Sequence, residues 1–245
     1  ITYKLHGTSA RFYNTLIQKP LSTVDKIAKF FGVKVEETQY DYIAASRRVV
    51  KSVGFEALPN KNHFFTSGDL WSEVGKEFFE GNLNKGEAVY CEIIGKTYTG
   101  EAIQHGYTYQ LEKPKVYIYR ISNINEQGIE IDLSYHQMKE RAFQLGIEVC
   151  PELFYGTLKE FIHNFTPNLS TEFDIGGILN SIFYDKLLEK PSILDNSVTE
   201  EGFCLRVDKY PKPEIFKIKS KLFLLHEGNL LDKSDVVDIE TVEAT

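Results

Sequence analysis

The chain has 245 residues, 42% of them hydrophobic and 13% aromatic, enough for one large domain or two small ones with a sizeable core. That composition excludes a disordered chain, and no apolar run approaches the roughly 20 residues that span a bilayer. A net charge of −7 excludes a uniformly basic coat for nucleic acid but leaves room for a local basic face.

In chain order, residues 1–13 predict a strand in which Ile1, Tyr3 and Leu5 alternate before Gly7 and Lys4 is carried along; the start is too polar for a secretory core. Ser22-Thr23-Val24-Asp25 marks a helix start, with Ile27, Phe30 and Phe31 as its apolar face and Gly32 as its end. This insert, about 17–41, is expected to pack over the surface between the first strand and the next. Gln39 to Lys51 reads as strand plus turn, ending in Ser46-Arg47-Arg48-Val49-Val50. A helix is predicted from Ser67 to Glu80, striped by Leu70, Trp71, Val74, Phe78 and Phe79 and stopped by Gly81.

Strands are predicted at 87–94 and 115–123, the second pairing with 128–133 through a turn at Asn125-Glu126-Gln127-Gly128. Ser134 with Gln137 forms a capping box for a helix that Gly146 closes. Helical stretches at 157–164 and 175–189 precede a polar loop, Pro191 to Thr199, and strands at 201–207 and 214–219 complete the sheet. After Leu225 periodicity fades, and 229–245 reads as an acidic linker or tail after a domain of residues 1–228. The fold class is α+β: mostly antiparallel sheets forming a cleft, with helices outside.

Cys91, Cys150 and Cys204 are odd in number and widely spaced, which favours reduced thiols in a cytosolic protein over disulfides or zinc. The arginines are only six, Arg11, Arg47, Arg48, Arg120, Arg141 and Arg206, and guanidinium groups suit bidentate phosphate contact.

Five segments carry candidate chemistry. A lysine with a pKa of about 10.4 cannot attack phosphate until burial or neighbouring positive charge lowers it. Lys217 and Lys219, at i and i+2 on a strand, share one face and could give Lys4 that field together with a bound Mg²⁺. Glu92 is one carboxylate in an apolar strand and needs a sugar hydroxyl, a metal-bound water or a cation, unless it faces water. Tyr117 or Tyr119 could stack on a purine, although aromatic stripes in strands are more often core. Glu201-Gly202 joins a carboxylate to a glycine that would let backbone approach a ligand, or is simply a turn.

Taken in order, these segments resemble the motifs of covalent nucleotidyltransferases. Lys4-Leu5-His6-Gly7 resembles the lysine-nucleophile motif, Val89-Tyr90-Cys91-Glu92 the third motif, and 116–121 the aromatic motif. Residues 200–206 resemble the Glu-Gly motif and 216–220 the terminal Lys-x-Lys. Histidine at position 6 is similar to the RNA ligase 2 branch of RNA ligases, and Ser46-Arg47-Arg48 resembles its arginine segment, with Arg47 the first counterpart and Arg48 the second. Three positions depart from the pattern. Tyr3 stands where an acidic residue is usual, Cys91 where glycine is common, and Val116 where the adenine-stacking aromatic falls, so Tyr117 or Tyr119 takes that place.

The resemblance implies an ATP-grasp-like nucleotidyltransferase domain that uses ATP and Mg²⁺. Lys4 would form a lysyl-adenylate, pass AMP to an RNA 5′-phosphate, and allow a 3′-hydroxyl to seal the strand. It implies nucleotide contacts from His6, Gly7, Arg47, Glu92 and Glu201, with Glu92 and Glu201 also at the metal, and phosphate contacts from Lys217 and Lys219. It implies a cytoplasmic protein, or one in the host cytoplasm if viral. Relatives carry a segment before the lysine and usually a further C-terminal domain, so the chain is expected to be an excised part of a longer protein. An ATP-dependent DNA ligase or an mRNA-capping guanylyltransferase would share the scaffold, and a nucleotide- or RNA-binding module without catalysis is the alternative of another class.

Overall fold

In the computed structural model, which describes residues 1–59, 65, 68–167 and 174–233, the single strand expected over 1–13 is two strands in two different sheets. Strand β1 (Thr2–Lys4) ends at the lysine, and β2 (Thr8–Gln18) begins after Gly7. A Cβ on Gly7 would lie 2.3 Å from the Ile93 carbonyl oxygen and 2.7 Å from Ile94 Cγ2, so only glycine lets the chain cross there. β2 pairs antiparallel with β3 (Thr38–Ala45), followed by β4 (Val50–Val53) and β5 (Glu56–Ala57). Between β2 and β3 lies α1 (Thr23–Phe30), with the expected capping box of Ser22 and Asp25.

Contrary to expectation, the apolar face of α1 is not covered by the described residues: Val24, Ile27, Phe30 and Phe31 are all exposed. The reason is topological. β2 and β3 stay paired to Gln18 and Thr38, which carries the helix past the end of the sheet.

Helix α2 (Leu70–Phe78) is capped by Asp69; the expected start at Ser67 lies outside the described residues. Then follow β6 (Glu87–Gly95), β7 (Pro114–Ile124), β8 (Glu130–Asp132), α3 (Tyr135–Leu145) and β9 (Glu148–Val149). The capping box of Ser134 and Gln137 and a left-handed Gly146 bound α3 as its sequence predicts. Helices α4 (Leu158–Phe165) and α5 (Ile175–Ser181) follow, the latter running into a π-helical turn, Ile182–Leu187. Strands β10 (Gly202–Val207) and β11 (Glu214–Lys219) lead into α6 (Lys221–Lys233). This helix crosses the point where the sequence reading begins a tail; residues 234–245 lie outside the described residues. Its first turn is held by Glu189, which accepts from the Lys221 and Leu222 amides at 2.8 and 2.9 Å.

The large sheet has the order β5-β4-β3-β2-β6-β7-β8, with β9 parallel to β7, and the small one β1-β10-β11. One face of the large sheet buries Phe12, Val89 and Ile93 against Trp71, Val74 and Phe79 on and after α2. The small sheet buries Tyr3, Phe203 and Ile218 against Phe161 and Phe183. Between them sits a smaller core of Leu5, Ile94, Tyr107, Tyr109, Tyr117 and Phe223. The other faces of the two sheets look at each other across the cleft.

Two substitutions should move stability in opposite directions. Gly7→Ala should cost about 1–3 kcal/mol, since the methyl meets a strand carbonyl that cannot yield. Gly228→Ala, inside α6 with open space around the added methyl, should stabilise by up to about 1 kcal/mol. Urea unfolding measures both.

Candidate active site

The cleft between the two sheets has a volume of about 1230 Å³. One wall is the small sheet, where register sets the faces: Lys4 lies opposite Gly202, which lies opposite Lys219, and the next row on that face is Thr2, Cys204 and Lys217. Lys4, Lys217 and Lys219 line the cleft, while Ile218 between the two lysines points into the core, as strand alternation predicts. The opposite wall is the large sheet, where Ser9 pairs with Glu92 and Arg11 with Tyr90. The β6–β7 register shifts between Tyr90 and Cys91, leaving Tyr119 as an extra residue in β7. Tyr119 lines the cleft, its hydroxyl 3.0 Å from Ser9 Oγ.

Glu201, expected to face the cleft, does not line it: it is buried behind Lys4 and Lys219, where it is the electrostatic centre. Its side chain is 1% exposed, and Oε1 accepts a short hydrogen bond from Lys4 Nζ, with Lys219 Nζ 3.6 Å away from the same oxygen. Oε2 is buried without a hydrogen-bond partner and lies 3.9 Å from His6 Nδ1. Burial pushes the Glu201 carboxyl above its usual range, against the pull of Lys4 and Lys219. Burial acts on Lys4 in the lowering direction, but the Glu201 and Glu92 charges outweigh it and the ammonium is held above its ordinary value. In this arrangement the carboxylates dominate and Lys4 is held as an ammonium. With the Glu201 charge engaged elsewhere, burial would be the main influence and would favour the free amine.

His6 does not line the cleft. It packs edge-on against Tyr107 and Phe223, each at 4.9 Å between centroids. Burial first, then Lys4, Lys219 and His226, depress it to about 3, so it is neutral at physiological pH. Gly7 also stands behind the wall, donating its amide to Glu92 Oε1 at 3.1 Å. The space Gly202 leaves is not a ligand approach: a Cβ there would meet the Ile218 carbonyl oxygen at 2.0 Å, so this glycine serves strand pairing. Glu92 and Arg47 line the cleft, Arg47 from the β3–β4 turn and Arg48 beside it outside the lining. Tyr117 falls in the small central core beneath Lys115, so of the two tyrosines only Tyr119 reaches the cleft.

Arg11, Arg120 and Arg206, which the sequence offers as phosphate-type arginines without assigning them a site, also line the cleft. Arg11 follows Ser9 at the two-residue spacing of a strand face, a signal available in the sequence once β2 is aligned. Among the described residues there is no group of three or more His, Cys, Asp or Glu side chains that could hold a metal, and no helix is long and apolar enough to cross a membrane.

A family profile described as RNA ligase matches residues 1–219. Among solved structures, a mutant of Naegleria gruberi RNA ligase with AMP and Mn is similar in fold, with a TM-score of 0.53 at 16% identity over 94% of this chain. A mutant of the same ligase with ATP and Mn gives 0.52 at 16% over 94%, and the ligase with PPi 0.51 at 16% over 94%. The chain spans about half the length of these structures, 51% in each case. A search of curated proteins found no match.

Two measurements probe the buried charges. Glu201→Gln should lower the Lys4 pKa, because it removes the main charge opposing burial; NMR titration of the lysine side chains reads the shift, and an unchanged value would contradict the pairing. For His6 the folded value lies below the unfolded one, so stability is lost as pH falls from about 6.5 towards about 3. Within that window the contribution is about 1.4 kcal/mol per pH unit, and His6→Gln should flatten the acid side of the stability profile accordingly.

Proposed function

Because the chain belongs to the RNA ligase family, we propose that it is the nucleotidyltransferase part of an ATP-dependent RNA ligase, with Lys4 as the adenylate acceptor. The observation that carries the reading is the convergence of Lys4, Lys219 and Glu201, three distant segments meeting on one carboxylate oxygen buried behind the cleft-lining lysines. ATP as the nucleotide is supported by the solved ligases of similar fold that hold ATP or AMP. In this reading the two facing sheets are an ATP-grasp-like cleft.

The free amine of Lys4 attacks the α-phosphorus of ATP, an N–P bond forms, the bond to the β-phosphate oxygen breaks, and pyrophosphate leaves with its electron pair. The amine proton leaves to solvent or a neighbouring base. AMP then passes from Lys4 to the oxygen of an RNA 5′-phosphate, and an RNA 3′-hydroxyl attacks that phosphate and expels AMP. Lys217 and Lys219 hold the phosphates on the Lys4 side of the cleft, and Arg47 holds the leaving pyrophosphate or the nicked strand from the opposite sheet. Tyr119 rather than Tyr117 stacks on adenine, and Glu92 holds the ribose. His6 and Gly7 act behind the wall, His6 packing near Glu201 and Gly7 orienting Glu92.

A divalent cation, for which we propose Mg²⁺, fits the donor set. Magnesium uses one or two carboxylates together with substrate phosphates. Glu92 and Glu201 supply two, and Glu201 offers a buried acceptor oxygen without a partner. Bound there, the ion would supply neutralisation of the phosphate charge. The three free cysteines support a cytoplasmic setting, and residues 1–228 would form the adenylation domain.

Incubation with α-labelled ATP and Mg²⁺ should attach one AMP to Lys4. Lys4→Ala should abolish labelling, and Lys219→Ala should reduce it by about a hundred-fold or more while leaving the protein folded. Label on another lysine would sink the assignment, and equal labelling from GTP would favour a capping enzyme. Sealing of an all-deoxy nick as efficiently as an RNA nick would favour a DNA ligase.

A further inference from the structure

We propose that Arg11 and Arg206, on opposite walls of the cleft, form a second phosphate-binding site separate from the lysines around Lys4. The inference rests on reading the cleft as the active site of an RNA ligase.

Both guanidinium groups line the cleft, and each keeps a buried N–H with no hydrogen-bond partner: Nε of Arg11 and Nη1 of Arg206. The Arg206 side chain is only 10% exposed. It is fixed on two sides, with Nε donating to Asp208 Oδ1 at 2.6 Å and Nη2 donating to the Leu133 carbonyl. Asp208 in turn accepts the Tyr135 amide at 2.8 Å, tying this wall to the start of α3. The fork is therefore oriented, with one edge unused. Arg11 has no carboxylate partner among the described residues and rests over the Tyr90 ring, 5.6 Å from its centroid. Arg120 occupies a different condition on that ring: it lies 4.2 Å from the centroid, with its charge spent on Asp132 at 2.7 Å and Glu130 at 2.9 Å.

A buried N–H left unpaired costs stability, and an arginine fork matches a phosphate edge. The unused N–H groups are what a phosphate would satisfy. Register separates this pair from the nucleophile. Arg11 lies two residues beyond Ser9 on β2, about 7 Å, and Arg206 four residues beyond Gly202 on β10, about 13 Å. Because Gly202 stands opposite Lys4, a phosphate held by Arg206 lies several residues along β10 from the nucleophile. Two sources present that chemistry, the 5′-phosphate end of RNA and the outer phosphates of ATP.

The test uses the full chain, without ATP, and a short RNA oligonucleotide carrying either a 5′-phosphate or a 5′-hydroxyl. Fluorescence anisotropy should show about ten-fold tighter binding of the phosphorylated form. Arg11→Gln and Arg206→Gln should each erase most of that preference, and Arg11→Lys should restore only part of it, having charge without the fork. If the preference survives but the KM for ATP in lysine labelling rises about ten-fold in both variants, the site takes the nucleotide's phosphates and RNA is rejected as the source. If neither quantity moves in folded variants, the proposal is overturned.

Unsubstituted protein gives an independent readout. The phosphorylated oligonucleotide, or ATP, should protect Arg11 from phenylglyoxal as mapped by mass spectrometry, and absence of protection by both would also overturn it. The ligase reading fails separately: an Arg11-dependent phosphate preference in a chain never labelled by ATP would leave the site standing and remove the activity.

Discussion

The chain changes sheets within Leu5-His6-Gly7, and the geometry of the cleft depends on that crossing. Gly7 passes so close to the Ile93 carbonyl that no side chain fits, and its amide is satisfied by Glu92 on the strand next to β2. The same three residues carry Lys4 on one side and Ser9 on the other, so the nucleophile candidate ends one wall as the facing wall begins. Leu5 is buried in the small core that joins the sheets, with Ile94, Tyr117 and Phe223, and fixes how they meet. A displacement of this crossing would move Lys4 relative to Glu92 and Glu201 together.

Glu201 shows what burial does to a simple ion pair. A carboxylate at 1% exposure is poorly solvated, and it is kept by Lys4 and Lys219 at one oxygen while the other has no hydrogen bond. His6, near that second oxygen, contributes shape rather than charge, since it is neutral between Tyr107 and Phe223. Phe223 belongs to α6, so the C-terminal helix closes the back of the site through an aromatic contact. In this arrangement the buried carboxylate holds Lys4 as an ammonium.

Local chemistry made much of this legible in the sequence. Alternation put Lys217 and Lys219 on one face and Ile218 in the core, and the helix start at Ser22 and the capping box at Ser134 are present as written. Illegible were the features set by contacts far away in the chain. The strand over 1–13 divides between two sheets at a point where Gly7 passes close to the Ile93 carbonyl, some ninety residues on, which its own residues do not announce. Tyr119 is separated from Tyr117 by a register shift opposite Tyr90, whereas strict alternation would have kept them on one face. The face of α1 was read as a packing surface because apolar spacing shows amphipathicity but not whether a partner lies beneath it. The contact between Lys4 and Glu201 is a matter of distance between segments almost two hundred residues apart, which neither motif announces.

Charge distribution completes the account of how an acidic chain can serve a phosphate-rich substrate. Of six arginines, four line the one cleft: Arg11, Arg47, Arg120 and Arg206. A net charge of −7 spread over the remaining surface repels a polyanion at long range, so attraction must come from within the cleft. There the walls are of low polarity, interactions are screened less than at the surface, and a few fixed cations act strongly over short distances. Such a layout suits a few local phosphate contacts rather than a coat along a polyanion, because only a handful of phosphates can be reached at once. Asp208, Asp132 and Glu130 hold two of these arginines in place at the expense of their charge, and Arg11 is left with a tyrosine face instead. Orientation and charge are thus divided among different residues of the same cleft, which lets the site be rigid without being neutral.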